Sequence, residues 1–322
     1  MPHSFFSSAV LAAAILASTP LFAQTPDLGQ DINPKSKLML IGTAGPKGVY
    51  FPAGNAVCDV INEDILVSGI RCLALNTGGA VYNIHAVHND HVQIGVTRDD
   101  LLADAYIGRE DFQGTEPMSE LRIIMPLYDD PVSIIVREES PINTVEDLKG
   151  KHVNIGALGT GRRAFSQFLF KLKRWSEADL ASIGEYSIAT MLQALCENKF
   201  DAMIQLVGYP SHFYDNLQRN CPVRALSLDA PTVQAILKEK PSFKRIVVKY
   251  PGNDGQMRSF NTVAATIVLF ADTNSMTAEE VRKILQQLRS NTEYLHNNSS
   301  ITHSVPAPGA SSNRAVPYFQ LF

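Results

Sequence analysis

Leu38-Met39-Leu40-Ile41-Gly42-Thr43-Ala44-Gly45-Pro46-Lys47-Gly48 is an apolar run that ends in a glycine-rich turn. The run is too short for an ordinary helix and reads as a buried strand. Beyond the turn, Ala56, Val57, Val60 and Ile61 share one side of a helix predicted over Pro52–Glu63. A strand, a glycine turn and a helix, in that order, open a βαβ unit.

The same rhythm continues outward. Arg71–Leu75 reads as a strand, Thr77-Gly78-Gly79 as a turn and Ala80–His88 as a helix; Val92–Val96 and Asp99–Ile107 repeat the pair. Such alternation predicts parallel sheets of the α/β class. It breaks at Leu121–Tyr128 and Val132–Val136, two strands with no room for a helix between them. Asp129-Asp130-Pro131 is read there as a turn where the chain crosses between domains. The rhythm resumes with Thr144 capping a short helix at Val145–Leu148, strand Val153–Ile155 and a second glycine turn, Gly156 to Gly161. Helices are predicted at Ala164–Trp175 and Ile188–Asn198, and strands at Ala202–Leu206 and Thr262–Ala271. Thr277 caps a last helix over Ala278–His296, and Asn297–Phe322 reads as an irregular tail.

At 322 residues, the chain is long enough for two domains, and with 45% hydrophobic residues it can bury a sizeable core. A net charge of −4 without a basic run argues against a nucleic-acid partner. Phe5 to Leu16 is nearly all apolar, Thr19-Pro20 breaks the run, and small Ala23 suits cleavage. Residues 1–23 therefore read as a secretory signal cut near Ala23, shorter than the ~20 apolar residues of a membrane span. The mature chain is expected to be periplasmic. In an exported protein, four cysteines suggest bridges, and three connectivities are open. The local pairing, Cys58 with Cys72 and Cys196 with Cys221, closes two short loops. No Cys or His spacing matches a zinc site, so no metal is expected.

The glycine turns carry the chemistry. Helix starts present free N–H groups and positive potential, which suits carboxylate or phosphate. Arg162 and Arg163 open the second such helix, where a cation opposes the dipole unless an anion is near. Arg163 is the sharper candidate for a bidentate carboxylate contact. Arg98 stands at the carboxyl end of a strand, where α/β folds bind ligands, with a pairing to Asp99 or Asp100 as the alternative. Tyr50 and Phe51 are placed to wall a pocket. Gly156 to Arg163 has Walker A glycine spacing, but Arg162 replaces the Lys and Arg163 the Ser/Thr, so no nucleotide is expected. His85, His88 and His91 read as a solvated helix face. No nucleophile elbow and no free cysteine point to catalysis.

These residues resemble the TAXI-type solute receptors of the tripartite ATP-independent periplasmic (TRAP) transporter class. The likeness runs through Ile41 to Gly54, Cys72 to Asn83, Asp147 to Gly156, Gly159-Thr160-Gly161-Arg162-Arg163, Ala194-Leu195-Cys196, Asp201-Ala202-Met203 and Gly208-Tyr209-Pro210. It implies a periplasmic-binding-protein type II fold, with two α/β domains joined by a two-strand hinge and a ligand cleft between them. Domain one is expected at 37–127 plus 250–296, and domain two at 128–249. The implied ligand is glutamate, 2-oxoglutarate or a similar dicarboxylate, with no cofactor, and the implied partners are the TRAP membrane subunits. The implied contacts are Gly45, Val49, Tyr50, Thr77, Gly78, Ala80, Asn83, Gly159, Thr160, Gly161, Arg162, Arg163, Gly208 and Pro210, with Arg98 added from its position. The chain departs from the family with Ala80 and Thr160 for Ser and Arg98 for Gln. A sensor feeding a membrane kinase and a transferase-type enzyme are the rival readings; the enzyme needs a positioned base or metal that the sequence does not offer.

Overall fold

The structure is a computed structural model that describes residues 36–306 and 315–320. The signal reading of residues 1–23 lies outside the described residues. Among the described residues, no helix is long and apolar enough to cross a membrane.

The first half of the chain alternates as read. It runs β1 (Lys37–Gly42), α1 (Tyr50–Glu63), α2 (Ile65–Ser68), β2 (Ile70–Leu75), α3 (Ala80–His88), β3 (Ile94–Arg98) and α4 (Asp99–Ile107). β4 (Leu121–Arg137) is then a single 17-residue strand. The second half follows with β5 (His152–Asn154), α5 (Gly161–Leu172), β6 (Ser182–Gly184), α6 (Met191–Cys196), β7 (Ala202–Leu206), α7 (His212–Asp215), β8 (Val223–Leu226), α8 (Ala230–Glu239) and β9 (Lys244–Pro251). β10 (Met257–Asp272), α9 (Ala278–Ser290) and α10 (Thr292–Asn298) complete it.

Strand order is β2-β1-β3-β10-β4-β7-β5-β6, with β8 on β4 and β9 on β10. The outer strands β2-β1-β3 and β7-β5-β6 pair in parallel, as βαβ units require, and the central β10 and β4 run antiparallel. This mixed α/β architecture is of the periplasmic-binding-protein type.

Asp129-Asp130-Pro131 is not a turn. It lies inside β4, where that strand changes partners: Pro131 is the last residue paired with β10, and Val132 the first paired with β7. A proline lacks the donor a ladder needs, and here it falls where the pairing is handed over.

Apolar layers cover both faces of each sheet. Around the first, α1 and α9 pack against Ile41, Ile94, Ile267 and Leu269, while α3 and α4 cover the other face with Ile84, Val87, Leu101 and Leu102. Around the second, Phe165, Leu169, Val233 and Ile236 from α5 and α8 meet Ile134 and Ile204; Met191, Leu195 and Tyr214 meet Ile135 and Met203. Ile134 and Ile135 go to opposite faces, as the period of two in a strand dictates. Tyr250, Phe260, Val263 and Ala265 join the second group, although the sequence reading grouped 250–265 with the first domain. The β9–β10 antiparallel pair holds them there.

Boundaries moved where caps decided them. α5 begins at Gly161 because the Thr160 hydroxyl accepts from the Arg163 N–H at 3.2 Å. Thr277 and Glu280 form a capping box, but the helix read through to His296 breaks at Asn291. Thr144 caps nothing; Asp147 instead accepts from the Asn143 and Thr144 N–H groups. The described residues of the tail beyond Asn298 form no helix but are held: Thr302 and His303 donate backbone N–H bonds to the Leu127 carbonyl, and Phe319 donates to that of Ile123.

Cys58 pairs with Cys72 and Cys196 with Cys221, with Cα separations of 4.9 and 5.8 Å. Peptide mapping without reduction should recover these two links. Replacing both Cys196 and Cys221 by Ser should lower stability by about 3 kcal/mol through loop-closure entropy, read from denaturant unfolding. Recovery of a Cys58–Cys196 peptide would refute the pairing.

Candidate functional site

Three helix starts meet at one cavity of about 300 Å³. The turn after β1 brings Ala44, Gly45, Gly48, Val49 and Tyr50; the turn after β2 brings Thr77, Gly78, Gly79 and Ala80; the turn after β5 brings Ala157, Thr160, Gly161 and Arg162. Leu206, Val207 and Gly208 at the end of β7 close the apolar side. The first turns of α1 and α3 carry no side-chain cap and no acidic residue. Their N–H groups and dipoles are therefore available to an anion.

Close approach holds the walls together. A Cβ on Gly208 would lie 2.8 Å from the Tyr128 ring and 3.0 Å from Val49 Cγ1. One on Gly161 would lie 3.2 Å from the Ala80 Cβ. Turns from both sheets thus touch across the cavity mouth.

The three arginines have different situations. Arg98 lines the cavity but is engaged: Nε and Nη2 each donate to an Asp100 oxygen at 2.7 Å, and Nη1 donates to the Gly161 carbonyl at 2.7 Å. Its guanidinium also lies 5.8 Å from the ring centres of both Phe165 and Phe243. Burial pushes its pKa down, but Asp100 outweighs this and holds the proton more firmly. Against the upward push of burial, Arg98 and Lys240 hold Asp100 below the usual carboxylate range. Lys240 also pairs with Asp104.

Arg163, the sequence's choice, lies outside the cavity lining. It donates to Glu177 through Nε and Nη2, and to Glu185 and the Gly156 carbonyl through Nη1, all at 3.0–3.1 Å. Arg162, one residue earlier, turns inward. Its Nη1 donates to Gln205 Oε1 at 2.7 Å and its Nη2 to the Tyr186 carbonyl at 3.0 Å. Its Nε is buried with no hydrogen-bond partner among the described residues. It makes no ion pair there either, and burial alone lowers its pKa to about 10. Successive helix residues point ~100° apart, so only one of the two can face inward. Gly156, at φ +84°, supports the guanidinium: a Cβ there would meet Arg162 Nε at 2.3 Å.

Asn83, Gly159 and Pro210 also fall outside the lining. Asn83 is fully buried and ties strand ends together, donating to the carbonyls of Thr43 at 2.6 Å and Val96 at 2.8 Å. Gly159 and Pro210 are exposed. The sequence did not point to Asp130, Glu185, Ser187, Ile188, Gln205 or Val207, all of which line the cavity. Asp130 left one signal: with Asp129 it interrupts a stretch from Ile123 to Val136 in which the other residues, Ser133 apart, are apolar or aromatic. It is 4% exposed, its Oδ1 has no hydrogen-bond partner among the described residues, and burial raises its pKa to about 7 against the pull of Arg98. Burial and nearby Asp130 also raise the pKa of Tyr50 well above the ordinary phenol value.

Comparisons with solved structures agree with this architecture. A Xanthomonas citri protein solved bound to ATP is 14% identical, with a TM-score of 0.51 over 87% of this chain and 94% of that one. The periplasmic binding protein BugD is 14% identical, with a TM-score of 0.51 over 82% of this chain and 86% of that one. At such identities the likeness concerns the fold. Family membership rests on the sequence itself, and the matched span of residues 41–319 takes in every turn that lines the cavity: the chain belongs to the NMT1-like family.

Proposed function

We propose that the chain is an extracytoplasmic solute receptor that holds a small organic anion in this cavity and delivers it to a membrane transporter. Arg162 carries the reading. It is a cation in the cavity wall with no carboxylate partner among the described residues, beside three helix starts that favour negative charge. A solute carboxylate would complete the pair. The periplasmic-binding-protein fold supports a receptor rather than a catalyst. The finer readings are a dicarboxylate of glutamate or 2-oxoglutarate type, TRAP membrane subunits as partners, and periplasmic location after loss of residues 1–23. β4, which pairs with β10 along its first part and with β7 and β8 along its second, would serve with β10 as the hinge between two moving domains.

A thermal-shift screen of acids, sugars and neutral amino acids tests the charge of the solute. A bound acid at a hundredfold excess over Kd should stabilise by about 2.7 kcal/mol. A shift with a sugar and none with any acid would reject the reading.

A further inference from the structure

Asp130 is the other unmatched group of the cavity. Its carboxyl lies in the wall, 4% exposed, on the opposite side of β4 from Asp129. The two neighbours differ in every respect that matters. Asp129 is engaged through Oδ1: Lys244 Nζ lies 2.7 Å and His303 Nε2 3.1 Å from it. Asp130 Oδ1 has no partner among the described residues. The nearby cation, Arg98, gives two nitrogens to Asp100 and the third to a backbone carbonyl. A buried carboxyl oxygen left unpaired costs roughly 1–3 kcal/mol or more, and native proteins keep few such groups.

We propose that Asp130 accepts a hydrogen bond from the solute, so that the cavity selects acids that also carry an ammonium or hydroxyl group. The proposal rests on the reading of the cavity as an organic-anion site. The pairing of charges around the cavity supports it. Arg98 and Arg163 already face carboxylates, so the solute's anionic group answers Arg162 and leaves Asp130 as the remaining unanswered group. An ionised carboxylate only accepts hydrogen bonds, and a protonated one keeps an accepting oxygen. A donor on the solute therefore satisfies Asp130 in either state, whereas an acceptor-only solute satisfies one state alone. Among the described residues neither nearby hydroxyl donates to Asp130: that of Tyr128, two residues earlier on the same side of β4, has no hydrogen-bond partner, and Tyr50 lines the same cavity without bonding to it. A cavity of about 300 Å³ suits a solute of a few carbons with both groups close together.

The experiment is calorimetric titration of the full chain with matched 2-amino, 2-hydroxy and 2-oxo acids of three, four and five carbons. In the wild type, the amino or hydroxy acid of at least one set should bind at least tenfold tighter than its 2-oxo counterpart. Asp130→Leu removes both oxygens and should shrink that ratio to less than threefold. Asp130→Asn retains one accepting oxygen without charge, and it guards against a folding defect in the Leu variant. It should keep a preference for a hydroxy acid and lose one for an amino acid, which separates the two donors. Equal wild-type affinity for 2-oxo acids and their donor-bearing partners would overturn the proposal while the anion site stands. So would an Asp130→Leu ratio equal to the wild-type one. Failure of every acid to bind would overturn the anion site itself and this proposal with it.

Discussion

Arg162→Ala is expected to weaken solute binding at least thirtyfold while leaving the fold intact. Removing one partner of a desolvated charge pair loses about 2–5 kcal/mol, because the other charge is left buried without an answer. At ~1.4 kcal/mol per tenfold, that range begins near thirtyfold. Gln205 and the Tyr186 carbonyl, the present acceptors of Arg162, are uncharged and tolerate its loss better than a carboxylate would. Arg162→Lys should recover part of the affinity, because an ammonium keeps the charge but not the planar fork. Arg163→Ala is the contrast. It strips Glu177 and Glu185 of their shared cation, so it should lower thermal stability more than affinity. Calorimetry and melting curves on the three variants decide the matter. Normal affinity in Arg162→Ala with a large loss in Arg163→Ala would reverse the assignment.

Stability should fall as pH rises from about 4 to about 8 through a contribution from Asp130, and Asp130→Asn should remove that contribution. In the folded chain, burial raises the pKa of this carboxyl to about 7, from an ordinary value of 3.8. Between those values the folded state keeps the proton and the unfolded state releases it, so stability declines with pH. Below the lower value both states are protonated and nothing is lost. Above the upper value the full loss is present, on the order of 4 kcal/mol for a carboxyl that ionises near 7 rather than 3.8. The Asn amide is itself buried, which offsets part of the gain, so the variant should exceed the wild type by roughly 1–3 kcal/mol at pH 8 and by little at pH 4. Melting temperatures without solute, taken at several pH values, give the difference directly. A gap that stays constant from pH 4 to pH 8 would show that Asp130 does not titrate as described.

The glycine turns were the most legible part of the molecule, because they follow from local rules. A strand, a turn and a helix repeat along the sequence, and the helix starts then lie at the strand ends where the sheet order places them. Arg162 and Arg163 show where local rules stop. Both sit in the first turn of α5, and no local rule separates them; the sequence reading chose Arg163, and the cavity takes Arg162. Glu177 and Glu185, 14 and 22 residues further on, settle the choice by taking Arg163. Asp129 and Asp130 were misread for a related reason: Asp-Asp-Pro is a common turn sequence, but the pairing of β4 first with β10 and then with β7 keeps the chain extended. β8, β9 and α8 were not read at all. β8 and β9 show no clean alternation of apolar and polar residues. α8 did carry a signal, since Asp229 caps the Thr232 N–H and Pro231 sits in the first turn.

Arg98 bears on how such a receptor behaves with nothing bound. It belongs to the first sheet and is neutralised there by Asp100, yet its Nη1 donates to the Gly161 carbonyl of the second half, between Phe165 and Phe243. In the proposed receptor, every ~1.4 kcal/mol that this contact contributed to closure would multiply the shut, empty population tenfold. A receptor that shuts while empty competes with loaded copies for the same transporter and produces idle encounters. A bare cation at this position would grip the opposite half more strongly. In the proposed receptor, Asp100 would weaken this contact by quenching the charge of Arg98, and the decision to shut would rest with the cargo.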